Sequence, residues 1–340
     1  MKVKKYGFAV LFAIVLFVFT GYLLADTFLI SRVYTVVEQA QTPVGQEKSE
    51  TVEFVLSQPT AQPEATAQPE TTAQPDVTEQ TEAAAQPTAE ALTIAPVSDE
   101  TSYSDGNIAI ALSTYRIADT TVYVADVQLS SADYLKTAFA QSAYGRNVTE
   151  KTSSIASSVD AILAINGDYY GAQRSGYVIR NGVLYRSSSS GSEDLVIYAD
   201  GSFGIVSEND VTAEELLERG AWNVLSFGPA LVADGTVAVG VNDEVGKAMA
   251  SNPRTAIGMI DDLHYVFAVA DGRTSASEGL SLYELATFLQ ELGVKTAYNL
   301  DGGGSSSMVF MGNLINNPTT NGKRTSERSV SDIVYIGYGA

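Results

Sequence analysis

"SLYELATFLQELGVKTAYNLDGGGSSSMVF", Ser281 to Phe310, holds the transition that decides the fold. Ser281 followed three residues later by Glu284 is the pattern of a capping box, and Gly293 supplies the stop. Between them Leu282, Leu285, Ala286, Leu289 and Leu292 recur at helical spacing on one face. "VKTAYNL" then reads as a short buried strand that runs directly into Asp301 and three glycines. A helix leading into a central strand, in a chain otherwise rich in strand patterns, predicts an α+β or mixed α/β fold dominated by strands. An ordinary turn needs one or two glycines. Three allow a backbone to approach a ligand closely and to aim successive N–H groups at it; plain chain flexibility is the alternative reading.

Outward from this stretch, "NIAIAL", "TVYVADVQL", "AILAIN", "DLVIYA" and "HYVFAVA" are short runs rich in Val, Ile and Tyr and read as strands. Asn181-Gly182 in "YVIRNGVLYR" marks a hairpin, and Asp261-Asp262 tips a second one. "TAEELLERG" has Thr212 as a cap and Gly220 as a stop. The expected organisation is a single strand-rich domain over 101–340 with few helices, preceded by two different segments.

The first of these, 1–30, opens with Lys2, Lys4 and Lys5, after which Gly7 to Ala25 is uncharged. Such a run spans roughly 28 Å as a helix, close to the hydrocarbon thickness, and the lysines place the remainder outside the cytoplasm. A transmembrane anchor is expected, with a cleaved signal peptide as the alternative; a cleaved leader would make the protein secreted. The second, 31–100, contains the repeat "TAQPEATAQPETTAQPD" and most of the chain's prolines, and reads as an acidic disordered linker. The net charge is −20, and residues 101–340 carry 27 acids against 15 bases. A surface of this sign repels nucleic acid, so none is expected as a partner.

The sequence contains no cysteine and one histidine, His264, inside a predicted strand. That excludes thiolate nucleophiles and His/Cys zinc sites. Nucleotide-binding glycine motifs are absent, and no cofactor or catalytic metal is expected. The remaining tools are carboxylates, arginines, amides and hydroxyls. They suit glycoside chemistry, in which carboxylates support an oxocarbenium-like state, and anion binding by arginines and glycine-loop amides. "AILAINGDYYG", "NPRTAIGM", "FAVADGRTSASEGLS" and "YNLDGGGSSS" each set such residues at the start or end of an apolar strand, so the four clusters could converge on one rim of a sheet.

In order, "INGDYY", "NPRTAIG", "ADGR" with "SEGLSLYELATFL", "NLDGGGSSSMV" and "ERSVSDIVYI" resemble the phosphodiester glycosidase family. The resemblance runs from about Ile108 to Tyr338. It implies a compact mixed α/β domain that cleaves a sugar from a sugar-1-phosphodiester. Matched motif by motif, Asp301, Glu278 and Asp168 are the candidate catalytic carboxylates. Asn166, Arg254, Asp271, Arg273, Asn299, Gly302, Gly303, Gly304, Ser305 and Arg328 are the candidate substrate-binding residues. The family's first motif often carries a second glycine and a phenylalanine, where this chain has Asp168 and Tyr170.

The function expected is that of a membrane-tethered extracytoplasmic hydrolase acting on a cell-envelope or exopolysaccharide glycan with a sugar-phosphate linkage. Asp301 would lie near the anomeric carbon, with a carboxyl acting as acid. The amides of Gly303 to Ser305, with Arg254 and Arg273, would hold the phosphodiester. The rival is a non-catalytic module that binds phosphorylated envelope polysaccharide. A hard cation held by Asp301 with Asn299 or Asp168 is the alternative to acid–base chemistry.

Overall fold

The structure, a computed structural model, describes residues 7–34, 97–98, 101–243 and 251–339. Apart from residues 31–34 and 97–98, the linker expected over 31–100 lies outside the described residues. Strands dominate, and every ladder among the described residues is antiparallel. The fold is therefore α+β.

Its largest element is a nine-stranded sheet. At its centre Thr296–Leu300 pairs with Arg254–Asp261, which pairs with His264–Ala270, which pairs with Thr120–Leu129. Thr296–Leu300 is buried on both faces, and its side chains alternate between two cores as a pleated strand requires. Ala297 packs with the helix Leu282–Glu291 through Leu282, Leu285, Ala286 and Leu289, while Tyr298 and Leu300 face a second core with Ile257, Phe267 and Leu163. The helix is capped as its sequence indicates: the Glu284 amide donates to the Ser281 hydroxyl and the Ser281 amide to the Glu284 carboxylate. A second capping box joins Thr212 and Glu215 at the start of Ala213–Glu218.

Two five-stranded sheets complete the domain. One carries the hairpin Val178–Arg180 and Val183–Arg186, whose turn residues Asn181 and Gly182 both have positive φ. The other places Leu163–Asn166 between Met308–Phe310 and Asp332–Ile336. The second predicted hairpin is Arg254–Asp261 with His264–Ala270. His264 lies on its strand against Asp126 of the neighbouring strand, 3.0 Å away.

At the N-terminus Gly7–Phe28 is a helix. Among the described residues, no helix is long and apolar enough to cross a membrane, so the structure does not support the transmembrane anchor expected over 1–30. The described apolar side chains of Gly7–Phe28, Val10 to Leu24, are exposed. After the helix, Arg32–Val33 adds a short ladder to Gly145–Arg146 of the domain.

Candidate active site

The chain leaves the nine-stranded sheet at Leu300 and enters the neighbouring five-stranded sheet at Met308, so the segment Asp301 to Ser307 is the crossover between them. Asn166, at the end of its strand, stitches this crossing. Its side-chain amide donates to the Asp301 carbonyl at 2.6 Å, and its oxygen accepts from the Thr255 hydroxyl at 2.8 Å and the Ser307 amide at 3.2 Å. Fully buried and fully bonded, Asn166 fixes where Asp301 leaves the sheet.

The three glycines serve the same crossing. Gly303 has φ +62°, and a Cβ there would come within 2.9 Å of the Arg273 guanidinium; a Cβ on Gly304 would run into Thr320. Two of the three amides expected to form a cradle, those of Gly303 and Ser305, are bonded within the protein. The Gly303 amide donates to the Pro253 carbonyl at 2.8 Å, and the Ser305 amide closes the 3₁₀ turn onto Gly302 at 3.2 Å. The amides of Gly303 and Ser305 are thus spent on protein acceptors, Pro253 and Gly302. Gly303 makes room for Arg273, and Gly304 for Thr320.

Asp301 is buried, 9% exposed. The Ser305 hydroxyl donates to its Oδ2 at 2.5 Å, and the Arg328 guanidinium approaches the same oxygen at 3.0 Å and Oδ1 at 3.3 Å. Arg328 also donates to Ser305 Oγ and to the Gly302 carbonyl. Burial pushes the Asp301 pKa above the usual carboxylate range, against the opposing pull of Arg328 and Ser305.

Two cavities flank this pair and share it. The first, about 200 Å³, is lined by Asp301 with Arg254, Arg273, Arg328, Asn252 and Asn299. Burial, and then the charge of nearby Arg328, depress the Arg273 pKa. Asn299 donates to the Gly228 carbonyl at 2.8 Å, while its buried Oδ1 has no hydrogen-bond partner among the described residues. The second cavity, about 230 Å³, is lined by Asp301 and Arg328 with Asp168, Tyr169 and Asn147. Tyr169 from the second and Phe227 from the first meet edge to face, with centroids 6.4 Å apart.

Not every predicted residue reaches this cleft. The Glu278 side chain is exposed and lines neither cavity; its backbone carbonyl accepts from the Arg273 amide at 3.0 Å. Asp271 also lines neither cavity. Its carboxylate accepts from the Asn316 side chain and from the amide and side chain of Asn317. Asp168 borders the second cavity, but its carboxylate is held in the interior. It accepts from the amides of Tyr170 and Ser226, both at 2.9 Å, and pairs with Arg180 at 2.8 Å. Arg180 also holds Asp332 at 2.8 Å. Burial and then the Asp168 charge push Asp332 up to about 8.

Sequence reasoning missed Phe227, Asn252 and Asn147 as lining residues. Asn252 stood within the quoted "NPRTAIG"; Phe227 and Asn147 carry no local signal and reach the cleft through tertiary packing.

A family model described as phosphodiester glycosidase matches residues 160–337, more than half of the chain. The SPbeta prophage-derived uncharacterized protein YomE of Bacillus subtilis (strain 168) is 30% identical over 201 residues, covering 57% of this chain and 31% of that protein. The N-acetylglucosamine-1-phosphodiester α-N-acetylglucosaminidase of Mus musculus is 31% identical over 175 residues, covering 46% of this chain and 33% of that one. The chain thus spans about a third of the length of these curated relatives. Among solved structures, the zebrafish N-acetylglucosamine-1-phosphodiester α-N-acetylglucosaminidase catalytic domain, auto-inhibited by its pro-peptide, superposes with a TM-score of 0.55 at 22% identity. That match covers 68% of this chain and 83% of that one. A hypothetical protein from Synechocystis superposes at 0.53 with 15% identity, covering 68% and 62%. Both superpositions speak for the fold.

Proposed function

Because the chain belongs to the phosphodiester glycosidase family, we propose that it is a hydrolase that releases a sugar from a sugar-1-phosphodiester in a cell-envelope or extracellular glycan. One observation carries this reading: a single buried carboxyl, Asp301, shares a cavity with three guanidinium groups, Arg254, Arg273 and Arg328. Arginines arranged around a small cavity suit a phosphodiester, and the carboxylate suits the positive charge that develops at the anomeric carbon.

The division of labour follows from leaving-group chemistry. A phosphate departs as a stable anion, so the C1–O bond can break without a proton being supplied to it. The arginines take up the charge on the departing phosphate, and the Asp301 carboxylate stabilises the sugar side. Donors from Ser305 and Arg328 converge on Asp301 Oδ2, an arrangement that suits an ionised carboxylate. On this reading Asp301 works ionised, rather than as the acid expected from sequence. It also disfavours a cation at Asp301, since a guanidinium already neutralises the carboxylate. The Tyr169–Phe227 pair offers aromatic faces to the sugar, and Asn299 Oδ1 offers an acceptor for a sugar hydroxyl.

The pH dependence has a defined sign. The reactive form is ionised Asp301, so activity is lost as pH falls through its pKa. Burial raises that pKa, so the acid limb of kcat lies above the usual carboxylate range. A rate that instead falls as pH rises through this region would return Asp301 to the role of acid. A binding module with the same cleft would retain sugar-phosphate and show no turnover at any pH.

The extracytoplasmic placement and the membrane tether rest on sequence alone, on Lys2, Lys4 and Lys5 before an uncharged run and then an acidic proline-rich stretch; no described helix is long and apolar enough to cross a membrane. Protease added to intact, wall-stripped cells is expected to release a folded fragment near residues 95–340. A fragment protected inside the cells would overturn the orientation. Full-length mature protein in the medium without protease would replace the anchor with a cleaved leader.

A further inference from the structure

A third cavity, about 620 Å³, opens beside the cleft and plays no part in the chemistry above. Arg32, Arg146, Arg174 and Arg186 line it, with Asp26 as its one acid. Four guanidinium groups against one carboxylate is a local excess of positive charge in a domain whose net charge is strongly negative. Such a concentration opposes the bulk composition and needs an anion.

The cavity already holds one from its own chain. Asp26 pairs with Arg146 at 3.1 Å, with Arg174 at 3.6 Å and with Arg32. That single carboxylate does not use all the donors. Arg146 Nε is buried and has no acceptor among the described residues, and the Arg174 side chain is 69% exposed. Four tyrosines, Tyr34, Tyr144, Tyr170 and Tyr185, line the rest of the wall with Gly145, Gln173 and Ser188. Tyr144 stacks on Tyr170 at 5.5 Å and packs against Tyr185 at 5.0 Å. Guanidiniums beside tyrosine rings form a surface for alternating phosphates and sugars.

The position connects it to Asp301. Two chain segments wall both this cavity and the second flank of the cleft. Gly145 and Arg146 face the arginine cavity, and the next residue, Asn147, lines the cleft. Likewise Tyr170, Gln173 and Arg174 line the arginine cavity, while Asp168, Tyr169, Gly171 and Ala172 line the cleft. We propose that the arginine cavity is a second anion subsite, which binds a further phosphate and sugar of a polyanionic glycosyl-phosphate chain whose scissile linkage lies at Asp301. The inference rests on the function proposed above and gives its substrate a class: a repeating sugar-phosphate polymer rather than an isolated diester.

The test uses the full chain and synthetic glycosyl-phosphate oligomers of one, two and four repeats. In the wild-type protein kcat/KM is expected to rise about tenfold from the shortest to the longest, the scale of one charge-assisted contact. Arg174→Ala and Arg174→Glu are expected to abolish this gain while leaving the one-repeat rate unchanged. A wild-type rate independent of length, or a uniform loss on all lengths in the variants, overturns the subsite. Should no oligomer be cleaved, the hydrolase reading falls, and anisotropy of the labelled four-repeat oligomer decides the subsite alone. Weaker binding by Arg174→Glu supports it and equal binding overturns it. Arg174-dependent binding of phosphatidylglycerol vesicles, with no oligomer bound, would assign the cavity to lipid headgroups and overturn the polymer.

Discussion

Asp301→Asn is expected to lower kcat by about a thousandfold, within the range lost when a positioned charged catalytic side chain is removed. The substitution keeps the shape of the side chain and an oxygen able to accept from Ser305 and Arg328, so KM should change little. The charge it removes is the only carboxylate lining the first cavity. Stability should shift by no more than about 1 kcal/mol, because losing the charge-assisted bonds is offset by relief of carboxylate desolvation. Circular dichroism and thermal melting check the fold, and single-turnover kinetics check the step. Unchanged kcat would remove Asp301 from the chemistry and leave the cleft as a binding site.

Arg180→Met should have the largest effect on stability, about 3–5 kcal/mol. Arg180 is buried and bridges Asp168 and Asp332, which are also buried. It further donates to the carbonyls of Ile179 and Val224. Removing it strands two carboxylates in the interior, a cost larger than the net worth of the ion pairs themselves. For a domain of this size the melting temperature would fall by roughly 10 °C. The deficit has a pH signature. A carboxyl whose folded pKa lies above its unfolded value costs nothing while both states are protonated, and it loses stability as pH rises through the folded value. Asp332 stands at about 8 even with Arg180 present, and without the guanidinium it rises further. The deficit should therefore be smaller at pH 5 than at pH 9. Adding Asp168→Asn and Asp332→Asn to Arg180→Met should recover part of the loss. A deficit that is the same at both pH values would attribute the loss to packing rather than to charge.

What could be read from the sequence divides along the reach of local signals. The capping box at Ser281, the Asn181-Gly182 hairpin and the strand ending at Leu300 are written in neighbouring residues, and the structure contains each. Convergence of Asn166, Arg254, Arg273, Asn299 and Asp301 was also legible, because each stands where an apolar strand meets polar residues, whereas Arg328, in the polar stretch "TSERS", was marked only by the family resemblance. Their bonding was not. Asp168 and Asp301 look alike in sequence, as acids beside glycine at a strand end. They differ in their partners, since a buried Arg180 holds Asp168 in the interior while Arg328, half exposed, leaves Asp301 at the cavity wall. Arg180 gave no warning within "YVIRNG", where it reads as one more hairpin residue. The glycine amides were assigned to a ligand because the sequence does not reveal that Pro253 lies across the turn. Glu278 failed for the opposite reason: its segment reaches the site through its backbone carbonyl rather than its side chain.

The central claim is that this cleft breaks the bond between the anomeric carbon and the phosphate oxygen. Hydrolysis of an α-N-acetylglucosamine-1-phosphodiester in ¹⁸O-labelled water, with both products read by mass spectrometry, tests it directly. Cleavage at the sugar carbon places the label in the C1 hydroxyl of the released sugar and leaves the phosphomonoester unlabelled, with the rate about a thousandfold lower in Asp301→Asn. Label in the phosphate, or turnover undiminished in Asp301→Asn, would contradict it.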